Sequence, residues 1–149
     1  MTNTTKIKTA IEPYIREWLA SQFLGRTFTE RNLPLVGGGQ HRFDAVSDDG
    51  LIVVEMLSNR SETRGNNENT GGVRKAQSTT DYLNRAPKEA QRLMVFTDSG
   101  FLALVQRRAI SWETHNIQML LCVLPPTLES LLNDILDQAS QEQKASSDS

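Results

Sequence analysis

The sequence contains a single cysteine and no long apolar run, and each shortage excludes a class of protein or site. Its single cysteine, Cys122, cannot form an internal disulfide or a cysteine-rich zinc site. The longest apolar run, at 117–124, is far too short to span a bilayer. The segment 1–6 lacks the apolar stretch of a signal peptide. We therefore expect a cytoplasmic protein that has no membrane partner.

Composition predicts one folded domain. The chain has 149 residues, 38% of them hydrophobic, which suits a single core and excludes a wholly disordered chain. We predict a domain at 1–140 and a disordered polar tail at 141–149. The formal net charge is −2, but residues 58–92 hold seven Lys/Arg against four Asp/Glu, a local charge of +3. This basic middle region is compatible with a phosphate-bearing partner.

Periodicity predicts an α/β fold. Apolar residues at helical spacing predict amphipathic helices, and short apolar runs between turn residues predict strands. An antiparallel meander followed by a βαβ crossover makes a mixed sheet flanked by helices. The predicted elements, in chain order, are a helix at 5–23 interrupted by Pro13, strands at 27–36, 41–48 and 51–57, a polar loop at 58–72, a helix at 73–86, a strand at 92–97, a helix at 100–113, a strand at 117–124 and a final helix from Leu128.

The hairpin formed by the second and third strands carries two facing acids. If Asp49 and Gly50 are its two turn residues, cross-strand partners have numbers that sum to 99, and Asp44 lies opposite Glu55. Their Cβ atoms would then be roughly 5 Å apart, where like charges repel. A Mg²⁺ ion would neutralise both carboxylates. A three-residue turn would instead place Asp44 opposite Val54, and the acids would then lie on opposite faces.

This hairpin and the element order resemble the PD-(D/E)XK superfamily, the restriction-endonuclease-like nucleases. Its core is a helix, a three-strand meander, a helix and a further strand, and Asp44 and Glu55 match its two acids. The resemblance implies a restriction-endonuclease-like core, Mg²⁺ or Mn²⁺ as cofactor, and hydrolysis of nucleic-acid phosphodiester bonds by metal-activated water. The sequence departs from the family at Leu57, which stands where the family has its active-site lysine.

Another residue would have to replace that lysine. Arg42, Arg60 and Lys75 are candidates, and we favour Lys75 because an arginine stays protonated and cannot act as a base. A further acid on the first helix often joins the site in this family. Here Glu17 is the better candidate, since Glu12 lies farther round from the apolar stripe.

Three readings of the function remain open. In the first, Asp44, Glu55 and Lys75 catalyse the reaction, Glu17 joins the two acids as a metal ligand, and the partner is nucleic acid, with DNA the first expectation. In the second, the same fold has lost catalysis and serves as a nucleic-acid-binding or assembly module. In the third, the acidic C-terminal helix packs on a protein partner. A homodimer through a sheet edge is compatible with each. The expected substrate-binding residues are Gln40, His41, Arg42, Arg60 and Arg74.

Overall fold

The structure, a computed structural model, describes residues 4–63 and 67–147. Its elements follow the predicted order, with two additional short strands that pair with each other in the polar loop. They are α1 (Thr4–Lys6), a π-helical turn (Ile7–Ile11), α2 (Glu12–Gln22), β1 (Phe28–Pro34), β2 (Gln40–Ser47), β3 (Ile52–Leu57), the short strands β4 (Glu62–Thr63) and β5 (Asn67–Glu68), α3 (Thr70–Asn84), β6 (Gln91–Phe96), α4 (Ser99–Arg108) with a 3₁₀ turn (Ala109–Ser111), β7 (Ile117–Leu121) and α5 (Pro126–Ser147).

A five-stranded mixed sheet forms the centre of the fold, with strand order β1-β2-β3-β6-β7. The first three strands are antiparallel, whereas β6 and β7 run parallel to β3. Each parallel connection passes through a helix, α3 before β6 and α4 before β7, as a parallel pair requires. The predicted α/β architecture, a meander plus a βαβ unit in a mixed sheet, is therefore confirmed.

Helices cover both faces of this sheet. All six residues of β3 are buried, which is the pattern of a strand with apolar layers on both sides. Leu57, at the end of β3, is 1% exposed and packs in the cluster that contains α3 and α4. That cluster includes Ala76, Leu83, Phe101, Leu104 and Val105; the cluster on the opposite face includes Ile11, Ile15, Leu19 and Leu132 from the N-terminal helical segment and α5.

The hairpin between β2 and β3 has the predicted register but a wider turn. Val46 lies opposite Val53 and Ala45 opposite Val54, so partner numbers sum to 99. The turn hydrogen bond runs from the N–H of Gly50 to the C=O of Ser47, which makes the loop wider than two residues. The register survives because a loop widened by one residue on each side keeps the same sum. The predicted pairing scheme is thus confirmed, whereas the predicted Asp49-Gly50 turn is wrong.

A β-bulge interrupts the pairing of β1 with β2 beside the two acids. Thr29 lies opposite Val46, but Arg31 lies opposite Phe43. Glu30 on β1 is therefore matched by two residues of β2, Asp44 and Ala45. A bulge bends its strand and re-aims side chains, and bulges are common next to functional sites. It places Asp44 and Glu30 at one point on the sheet.

The two ends of the chain also bear on the predictions. Pro13 is the second residue of α2 and directly follows the π-helical turn, inside a helical segment that runs without a break from Thr4 to Gln22. The last helix, α5, reaches Ser147 and so extends into the segment 141–149 for which a polar tail is predicted; residues 148–149 lie outside the described residues. Within the described ranges, no helix has both the length and the apolar character needed to cross a membrane.

Candidate functional site

A pocket of about 300 Å³ opens where β2 and β3 separate. Helices line it from both faces of the sheet, because α2 lies on one side and α3 on the other. Its floor is formed by the acids of the hairpin. The lining residues are Ile7, Ile11, Glu12, Ile15, His41, Arg42, Asp44, Glu55, Met56, Ser58, Lys75 and Thr79.

The two acids take over the hydrogen bonding between β2 and β3 beyond Ala45. The N–H of Asp44 donates to Glu55 Oε1 at 3.0 Å, and the N–H of Met56 donates to Asp44 Oδ2 at 2.8 Å. Each carboxyl group thus accepts a bond from the opposite strand. These bonds hold Asp44 and Glu55 side by side at the point where the strands part, so the pairing predicted from the register is present as a contact.

Burial and proximity make it energetically unfavourable for both carboxyl groups to be ionised. Glu55 is 7% exposed, and burial together with the charge of Asp44 raises the pKa of Glu55 to about 8. Burial also raises the pKa of Asp44. The Lys75 ammonium and the donated backbone N–H groups oppose both rises in pKa, because they favour the charged forms. Near neutral pH the pair therefore retains a proton.

An ion-pair network borders the acids on the α2 side. Arg16 donates from Nε to the C=O of Asp44 at 3.0 Å, and its guanidinium lies 3.1 Å from Glu12 and 3.9 Å from Glu30. Arg42 pairs with Glu30 as well. Ligand oxygens of Glu12, Glu30 and Asp44 lie within 4.8 Å of one another. The site therefore contains a second group of acids, already partly neutralised by two arginines.

A histidine borders Glu55 on the α3 side. His41 Nε2 lies 3.4 Å from Glu55 Oε2. The His41 ring stacks on Tyr82 with a centroid distance of 3.8 Å and an interplanar angle of 10°, and it meets Phe43 edge-on. Burial lowers the pKa of His41, opposed by the charge of Asp44. Neighbouring aromatic rings thus fix the orientation of the imidazole beside the acids.

The structure brings together five of the residues predicted from the sequence, namely Asp44, Glu55, Lys75, His41 and Arg42. The other predicted residues do not line the pocket. Arg60 pairs with Asp137 of α5 at 2.9 Å. The remaining two substrate-binding candidates, Gln40 at the start of β2 and Arg74 on α3, are exposed outside the pocket lining.

The predicted acid from the first helix needs correction. Glu17 is exposed and outside the pocket lining, whereas Glu12 lines the pocket. Five residues turn an α-helix by about 140°, so the two glutamates cannot face the same site. The π-helical turn at Ile7–Ile11 changes the angle between the residues before it and the residues after it. An apolar stripe drawn through this segment at a constant 3.6 residues per turn therefore points to the wrong side of α2.

Sequence reasoning missed Tyr82, Glu30 and Arg16. Tyr82 follows Lys75 by seven residues, which places both on one face of α3, and this spacing was available in the sequence. Glu30 and Arg16 had no such signal, because the bulge of β2 and the packing of α2 bring them to the acids.

The donor set suits a hard divalent cation. Mg²⁺ binds oxygen ligands and commonly uses one or two carboxylates, which Asp44 and Glu55 offer side by side. Burial, and for Glu55 also the charge of Asp44, disfavours the ionised carboxylates, and a bound cation would favour them. Glu12 and Glu30 are a less suitable pair of ligands, because Arg16 and Arg42 already pair with them.

Comparison with known proteins adds no relative: no family model, no curated protein and no solved structure matches this chain.

Proposed function

We propose that this chain is a metal-dependent, nuclease-like protein that hydrolyses nucleic-acid phosphodiester bonds on a restriction-endonuclease-like core. The observation that carries the proposal is the adjacent pair Asp44 and Glu55, buried in a pocket that Lys75 also lines. Folding does not require two acids at this position, since their proximity raises the cost of ionising both. The order of helices and strands also supports the proposal.

Each group has a distinct part in this proposal. Asp44 and Glu55 would hold Mg²⁺ or Mn²⁺, which when bound supplies charge neutralisation and activation of water. Lys75 would face the substrate phosphate and offset its charge from α3, in place of the lysine that Leu57 cannot provide. His41, 3.4 Å from Glu55, would keep that carboxyl oriented. Arg74, exposed beside Lys75, would contact the nucleic-acid backbone electrostatically.

The second candidate is a non-catalytic member of the same fold that binds nucleic acid or an assembly partner. It is favoured by Leu57, which is fully packed in the core at the position of the family lysine. The ion pairs of Arg16 and Arg42 also lower the demand for a metal on the α2 side. A cytoplasmic location, DNA as the first substrate to test and a homodimer remain part of the proposal.

The test is a cleavage assay on single- and double-stranded DNA and RNA with Mg²⁺, Mn²⁺ or EDTA. The variants are Asp44→Asn, Glu55→Gln and Lys75→Met, and the matched control is Glu17→Gln on the exposed side of α2. We expect cleavage that requires metal, is lost in the first two variants, falls at least tenfold in Lys75→Met and is unchanged in the control. Calorimetric titration with Mn²⁺ measures the site directly.

The outcomes separate the candidates. Mn²⁺ binding that disappears in Asp44→Asn, together with cleavage, supports the nuclease. Metal-independent nucleic-acid binding without cleavage favours the second candidate. Absence of both cleavage and Mn²⁺ binding refutes the catalytic proposal.

A further inference from the structure

The Tyr82–His41 stack stands beside the two acids and has one side toward solvent. His41 covers one face of the Tyr82 ring, at a centroid distance of 3.8 Å. Tyr82 nevertheless keeps 38% of its surface exposed, unlike the core aromatics Phe43, Phe96 and Phe101, which are fully buried. Stacking on a second aromatic ring fixes the plane of Tyr82. A planar ligand can therefore stack on it without first ordering the side chain.

Tyr82 of the stack and Lys75 lie on one face of α3. Residues three, four and seven positions apart share a helix face, so Lys75, Thr79 and Tyr82 form a line. Lys75 and Thr79 line the pocket, and Tyr82 follows at its His41 side. Seven residues span about 10 Å along a helix axis. At this spacing the ammonium of Lys75 and the ring of Tyr82 can contact a phosphate and a base of the same strand.

The depth of the acids restricts which nucleic acid can reach them. The side chain of Glu55 is 10% exposed, and Ile7, Ile11 and Ile15 form an apolar wall across the 300 Å³ pocket. A paired base is stacked within its duplex and cannot stack on a protein ring. Enzymes that need an accessible nucleotide act on a single strand or extrude the base. The pocket has room for a nucleotide-sized group and not for a duplex.

We propose that single-stranded nucleic acid binds along this face of α3, with one base stacked on the exposed part of Tyr82 beside the pocket and a phosphate at Lys75. The inference rests on the proposed function in taking nucleic acid as the ligand, but it does not require catalysis. Base–aromatic stacking is tolerant of sequence, because every base has a flat face. We therefore expect a preference for single strands that depends little on base identity.

The experiment measures equilibrium binding of the full chain to fluorescein-labelled DNA by anisotropy, with EDTA and again with Ca²⁺. The probes are a short single strand, the same sugar–phosphate strand without bases, and the duplex. The variants are Tyr82→Leu, which removes the flat ring, and Tyr82→Phe, which keeps it. Gln77→Ala, exposed elsewhere on α3, is the matched control.

We expect the single strand to bind more tightly than the duplex. Tyr82→Leu should weaken single-strand binding about 5- to 150-fold, the range for loss of one stacked base, whereas Tyr82→Phe and Gln77→Ala should bind like the wild type. Removing the bases should weaken wild-type binding by a similar factor and have little effect in Tyr82→Leu. This non-additivity identifies stacking, since a merely structural role of Tyr82 would leave the two effects additive.

Three results would overturn the inference: equal affinity for duplex and single strand, wild-type affinity in Tyr82→Leu, or additive effects of ring and base removal. Lack of binding to every probe overturns it too. Metal-dependent cleavage with any of these results leaves the proposed nuclease standing and removes only the stacking site. Stacking without cleavage has the opposite meaning, because it retains the single-strand site and favours the non-catalytic candidate.

Discussion

Replacing Glu55 by glutamine should make the metal-free protein more stable at alkaline pH. Glutamine has the shape of a protonated glutamic acid. Its Oε1 can still accept the N–H of Asp44, and its Nε2 can donate to His41. The substitution therefore removes the charge while keeping both contacts. It also removes the like charge that Asp44 faces across the hairpin.

The sign and the magnitude follow from the pKa of Glu55, which rises from 4.5 in the unfolded chain to about 8 in the fold. Between these values the folded protein holds a proton that the unfolded chain has lost. The free energy of unfolding therefore falls as pH rises, by about 1.4 kcal/mol per pH unit. Across the whole window the loss amounts to about 5 kcal/mol, a large part of the stability of a typical domain. Below pH 4.5 the stabilisation is fully present.

Urea unfolding at a series of pH values from 4.5 to 8.5, in EDTA, measures this effect. With ordinary m-values the wild-type midpoint should fall by roughly 0.5–1 M urea per pH unit relative to Glu55→Gln. Glu17→Gln, on the exposed side of α2, should keep the wild-type slope. Parallel curves for wild type and Glu55→Gln would refute the reasoning, since they would mean that Glu55 ionises freely in the folded protein.

Two further predictions concern the elements beside the pocket. Leu57→Lys places a lysine two residues after Glu55, as in the PD-(D/E)XK pattern that the hairpin resembles, but it buries an unpaired charge where the side chain is 1% exposed. It should cost at least about 3 kcal/mol in urea unfolding without raising cleavage, and a stable variant with faster cleavage would contradict this. Asn69 caps α3 by accepting the N–H of Gly72 and also donates from Nδ2 to the C=O of Arg60. Asn69→Ala loses both bonds and should lose at least about 1 kcal/mol in thermal unfolding, whereas Asn69→Asp keeps the cap, loses only the bond to Arg60 and should lose less. Equal losses in the two variants would show that the cap is not the cause.

The sequence specified the meander and the register because both depend on local chemistry. The polar turn at Asp48, Asp49 and Gly50 separates two apolar runs. The numbers of cross-strand partners still sum to 99, because the loop is wider than predicted by one residue on each side. Ser47 and Asp49 widen the turn with their side chains: Ser47 Oγ accepts the N–H of Ile52, and Asp49 Oδ1 accepts the N–H of Leu51. Such side-chain competition for backbone groups is hard to foresee from the turn sequence alone.

The parts of the site that escaped prediction depend on contacts between distant segments. The bulge at Asp44 has no glycine or proline to mark it and is defined by the pairing with Glu30 on another strand. Arg60 could not be placed from its neighbours, because its partner Asp137 is 77 residues away. Whether Glu12 or Glu17 faces the pocket depends on the π-helical segment, which adds one residue to a helical turn and has no marker in the sequence.

Leu57 and Lys75 both bear on whether the site has a lysine that can act on a substrate. Leu57 belongs to the buried cluster that also contains Ala76, the residue after Lys75. Neighbouring residues on a helix lie about 100° apart, so burying Ala76 against the sheet leaves Lys75 at the border of the buried face, where the pocket opens. In the proposed nuclease, the apolar residue at the family's lysine position thus helps to hold the helix that supplies a lysine from another direction. The departure at Leu57 is therefore compatible with a positive charge beside Asp44 and Glu55, and the effect of Lys75→Met on cleavage is the measurement that decides whether that charge acts on the substrate.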